Sequence, residues 1–154
     1  MMRRLAAVVF WLVLVVPVPV QAGCLIFCDN TGMNATDARA YLEAELAAPL
    51  PEGVEVLVML EGGFQDTFIE VELAGPPDAI SAMLRMLAID PGTLEPVQAA
   101  EFGAAAAPVW SLRPDMALHG AEGRLGHFAY ARVAVTRVPD AAGHLRLYLF
   151  AFET

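Results

Sequence analysis

The segment Val54-Glu55-Val56-Leu57-Val58-Met59-Leu60 is β-branched and apolar, and Thr67-Phe68-Ile69-Glu70-Val71-Glu72-Leu73 alternates. Ile69, Val71 and Leu73 fall on one side, and Phe68, Glu70 and Glu72 on the other. Gly62-Gly63-Phe64-Gln65-Asp66 lies between the two runs, so the spacing predicts a β-hairpin with a five-residue glycine-containing loop.

Helices are predicted on both sides of this hairpin. Asn34-Ala35-Thr36-Asp37 offers an N-cap and an acidic first turn, Ala38, Tyr41, Leu42 and Leu46 recur at helical spacing, and Pro49 and Pro51 stop the pattern. Asn34-Ala35-Thr36 also matches a glycosylation acceptor, but the cap explains it. After the hairpin, Gly75-Pro76-Pro77-Asp78 opens a second helix with the stripe Ile80, Met83, Leu84 and Leu87, closed by Asp90-Pro91-Gly92.

The C-terminal end predicts a second hairpin. Residues 126–138 alternate, Pro139-Asp140-Ala141-Ala142-Gly143 turns, and residues 145–152 alternate again. The expected fold is therefore α+β: two helices packed on a four-stranded, mainly antiparallel sheet, in the order helix, hairpin, helix, long connection, hairpin. Residues 34–154 form a single domain in this reading. Residues 91–126, rich in proline and glycine, are an irregular connection within it, with a short helix near Pro96 to Phe102 or a cover for the sheet.

The N-terminus reads as an address. Met1-Met2-Arg3-Arg4 is basic, Leu5 to Val16 is an apolar run of twelve, and Pro17 and Pro19 break it before Ala22. A membrane-spanning helix needs about 20 apolar residues, so residues 1–22 are expected to be a cleaved signal peptide. Residues 23–33 follow as an arm or tether. Cleavage after Ala22 would leave Cys24 and Cys28 to pair in an oxidising compartment, closing a loop whose contribution is at most about 2 kcal/mol. Ala22-Gly23-Cys24 also resembles the end of a bacterial lipobox, which implies acylation of Cys24; Gln21 departs from that pattern. Both alternatives stay open. The expected location is the periplasm or cell envelope, with a membrane engaged only through a lipid on Cys24.

Composition excludes several chemistries. All nine basic residues are arginine, so no lysine Schiff base and no P-loop lysine can form. Removing residues 1–22 takes Arg3 and Arg4 but none of the 18 acids, moving the formal charge from -9 to -11. Without a basic cluster, no nucleic-acid partner is expected. Three residues separate the cysteines, so there is no C-x-x-C redox motif. Neither Ser81 nor Ser111 sits in a G-x-S-x-G elbow.

His119, His127 and His144 lack the close spacing of zinc ligands, so no metal and no cofactor are expected. His119, His127 and Asp66 are the catalytic candidates. Glu70 and Glu72 share a strand face; a paired-carboxylate site is conceivable there, but a solvated sheet surface accounts for them, with Arg132 and Arg146 placed to pair with them across the sheet. Phe128 and Tyr130 on one strand, and Tyr148, Phe150 and Phe152 on its partner, form an aromatic face; the opposite face is also apolar. Such a hairpin is either covered twice or exposes a binding surface. Phe64, Trp110, Phe128, Tyr130, Tyr148 and Phe150 are the binding candidates, for an unknown protein or a small apolar ligand. The expectation is a non-catalytic binding or accessory module. The alternatives are an envelope hydrolase with a His/Asp/Glu site, and an immunity-like or inhibitor protein with an acidic strand surface.

Overall fold

A computed structural model of the chain describes residues 31–62, 67–99 and 111–153. Residues 1–22, expected to be a signal peptide, lie outside the described residues, as do Cys24, Cys28, Phe64, Asp66 and Trp110. In chain order the elements are β1 (Thr31–Gly32), α1 (Ala35–Leu46), β2 (Glu55–Gly62), β3 (Phe68–Gly75), α2 (Pro77–Met86), a 3-10 turn (Pro91–Thr93), β4 (Glu95–Val97), β5 (Leu118–Leu125), β6 (Phe128–Thr136) and β7 (Leu145–Phe152).

Both helices form where the local chemistry calls for them. Asn34 Oδ1 accepts from the backbone N–H groups of Thr36 and Asp37 at 3.1 and 3.0 Å, satisfying two of the donors that a helix start leaves open. α1 ends at Ala47, whose left-handed φ of 51° lets the following N–H of Ala48 return to the Glu43 carbonyl. Pro77 opens α2, and its stripe Ile80, Met83, Leu84 and Leu87 is buried as the spacing predicts.

The α+β class holds, but the sheet is larger than four strands. It has seven, all paired antiparallel in the order β1-β2-β3-β7-β6-β5-β4, and β1 is only a two-residue arm. Residues 91–126 are not simply an irregular connection: they supply β4 and β5, and residues 95–97 are strand rather than helix. The C-terminal strand β7 inserts between β3 and β6, joining the two hairpins into one sheet. Its two apolar faces are what a central strand covered on both sides requires.

Odd-numbered positions of β3, β6 and β7 face the helices. Ile69, Val71, Leu73, Val133, Leu147 and Leu149 share one core cluster with Leu42 of α1 and Met83 of α2. The opposite face has a smaller cluster of Ala99, Leu112, Leu118, Ala134 and Tyr148, with Met116 and Phe150 packed against it. Leu112 and Met116 thus bring part of the long connection onto this second face, as the covering role expected of it requires.

Candidate functional site

The second face of the sheet holds a buried polar cluster. β3 presents Glu72 directly opposite Tyr148 of β7, and Arg146 lies two residues before Tyr148 on the same side. Arg146 Nη1 donates to Glu72 Oε1. Ser111, at the start of the stretch leading into β5, gives Glu72 two more donors: its backbone N–H at 2.9 Å and its hydroxyl at 2.6 Å. The Tyr148 hydroxyl lies 3.1 Å from Ser111 Oγ and donates to Met116 Sδ at 3.7 Å.

Burial makes these contacts consequential. Glu72 is 1% exposed, so each donor replaces water that the carboxylate has lost. Burial pushes the Tyr148 hydroxyl above its usual range, and the Ser111 hydrogen bond offsets only part of that shift. The hydrogen bond to Glu72 raises Arg146 further above an already high value. Ser111 is therefore engaged in holding a carboxylate already paired with arginine. That is the geometry of a staple fixing residue 111 to the sheet, and it lacks the free base that a serine nucleophile needs.

Glu70, two residues away on the same face, has none of this support. It stands opposite Leu60 of β2 and Phe150 of β7, is 8% exposed, and its Oε2 atom is buried without a hydrogen-bond partner. Burial raises its pKa above the ordinary 4.5. Phe150 in turn stacks on Phe68, with ring centroids 6.1 Å apart and planes at 29°. The solvated acidic face expected from the alternation is therefore buried at both acids. Two carboxylates in unlike environments are the raw material of acid–base pairs. Here one is saturated by its partners, and neither offers appreciable surface to a substrate.

The other candidates are dispersed. His119 and His127 lie at opposite ends of β5, the first within the strand and the second in the turn that follows it. His127 Nδ1 is 2.9 Å from Glu45 Oε2, its Nε2 is 3.7 Å from Glu153 Oε2, and its ring stacks on Phe128. Tyr41 is pushed up to about 12, first by burial and then by the charges of Glu61, Glu45 and Glu153. His144 lies in the β6–β7 turn, where its backbone N–H donates to Asp140. Among the described residues, no group of three or more His, Cys, Asp or Glu side chains is arranged to hold a metal ion.

The expected aromatic face divides. Tyr148 and Phe150 belong to the second-face cluster, whereas Phe128 packs into the core on the helix side. Phe128 sits at the first position of β6, beside the tight turn through Gly126 and His127, where strict alternation does not control its direction. Tyr130 donates its hydroxyl to Glu122 at 3.2 Å. The sequence reading missed the roles of Ser111 and Met116, which only the path of the chain after residue 110 reveals. No family model, curated protein or solved structure matches the chain.

Proposed function

We propose that this chain is a small exported protein of the cell envelope that acts as a non-catalytic binding or accessory module. Its contact surface is the second face of the sheet around Phe68 and Phe150. The observation that carries the reading is the stacked Phe68–Phe150 pair beside Glu70, a buried carboxylate whose Oε2 has no internal partner. Aromatic surface of this kind is characteristic of contact sites, while the serine and the carboxylate that catalysis would call on are committed to each other. Export rests on the sequence of residues 1–22.

Two measurements test the proposal. Intact mass of protein recovered from soluble and membrane fractions should give either a chain starting at Gly23 or one acylated at Cys24; a cytosolic chain that retains Met1 would overturn export. A photo-crosslinking residue at Phe68 should trap one partner in intact cells, and Phe150→Asp should abolish the product without unfolding the protein. Absence of a product, together with hydrolysis of an envelope substrate that His127→Ala eliminates, would replace the binding module with the hydrolase reading.

A further inference from the structure

On the helix side of the sheet, α2 and the ends of β5, β6 and β7 enclose a cleft of about 190 Å³. Its base is made by Ile80, Leu84 and Val135, all buried, and its mouth carries Ser81, His119 and Arg137. The chain has twice as many acids as bases, yet no acid lines this cleft. Among the described residues, the Ser81 hydroxyl, the His119 ring and the Arg137 guanidinium make no hydrogen bond or ion pair with the protein. Other basic side chains are paired with acids, among them Arg146 with Glu72, His127 with Glu45 and Arg39 with Glu43. Here a cation, an imidazole and a hydroxyl line one partly apolar cleft and remain uncommitted.

We propose that this cleft binds a small monocarboxylate with a short apolar tail. The carboxylate would sit at Arg137, whose planar fork offers two parallel N–H donors, with His119 and Ser81 as further donors. The tail would lie against Pro91, Leu94 and Leu145, the partly exposed apolar residues of the lining. A cleft of this size holds the volume of about six water molecules at roughly 30 Å³ each, which limits the tail to about five or six carbons. The site lies on the opposite face of the sheet from the Phe68–Phe150 surface, so it stands or fails independently of the proposed partner.

Hexanoate is the probe, titrated into the purified protein while backbone amide resonances are followed. Saturable shifts centred on Ser81, His119, Val135 and Arg137 are expected, with a dissociation constant on the order of 1 mM. Hexylamine and hexanol should bind at least about tenfold more weakly, because neither supplies the anion. Arg137→Gln should weaken hexanoate by about tenfold or more with the melting temperature unchanged, since Arg137 is exposed. The proposal is overturned if shifts are absent or map elsewhere, if hexylamine binds as well as hexanoate, or if Arg137→Gln retains the affinity.

Discussion

Replacing Arg146 with methionine keeps most of the aliphatic stem and removes the cation from Glu72. The Glu72 side chain is 2% exposed and would keep only the two Ser111 donors, at 2.9 and 2.6 Å. Breaking a buried pair by removing one partner costs about 3–5 kcal/mol, because a charge is left unpaired. The remaining donors, and water entering through the third of Arg146 that is exposed, reduce this to an expected loss of about 2–3 kcal/mol at pH 7. The assay is urea unfolding, read as a change in midpoint at constant slope. Adding Glu72→Gln to Arg146→Met should recover at least about 1 kcal/mol, since the second change removes the stranded charge. A loss below about 0.5 kcal/mol, or no recovery in the double variant, would refute the view of Glu72 as a buried charge dependent on Arg146.

Glu70 should leave a pH signature in the stability of the fold. Its folded pKa is raised above 4.5 by burial, so its protonated form is the one the fold accommodates, and stability is lost as pH rises from about 4.5 toward the folded value. Glu70→Gln should therefore be more stable than the parent at pH 7 and indistinguishable from it below about pH 4.5; an advantage of equal size at both pH values would contradict the assignment. Gly126→Ala should cost about 2 kcal/mol in thermal unfolding, because φ is +49° and an added Cβ would overlap the Glu45 carboxylate; an unchanged melting temperature would show that the turn can relax. Asn34→Ala should cost about 1 kcal/mol and speed amide exchange at Thr36 and Asp37, whose N–H groups donate to the Asn34 side chain. Normal protection at those two amides would argue against the cap.

The elements that are readable carry their signals locally. α2 has proline at its first position and an apolar stripe of period 3.6, while the first hairpin joins two β-rich runs through glycine. β5 is hidden because its sequence, Leu118-His119-Gly120-Ala121-Glu122-Gly123-Arg124-Leu125, lacks β-branched residues and contains two glycines. The packing explains one of those glycines. A Cβ on Gly123 would lie 2.8 Å from the Leu87 carbonyl and 2.6 Å from Ile89 Cδ1, and the next residue, Arg124, donates its N–H to that same carbonyl at 2.9 Å. The residue that lets β5 close against the end of α2 is thus the one that makes it look like a loop.

The second-face cluster is half readable for a related reason. Alternation places Phe68, Glu70 and Glu72 together, and charge complementarity nominates Arg146 as a cross-strand partner; the Glu72–Arg146 pair bears that out. Burial depends instead on which strand lies alongside and what covers the face. Because β7 enters between β3 and β6, Glu72 meets Tyr148 with Arg146 in reach, whereas Glu70 meets Phe150 and has Arg132 two strands away. Two acids that are equivalent in the sequence acquire opposite roles: Glu72 is a paired anchor, and Glu70 is a desolvated acid beside an aromatic pair. Their difference is set by the register of a strand that begins more than 70 residues later, so local pattern cannot supply it.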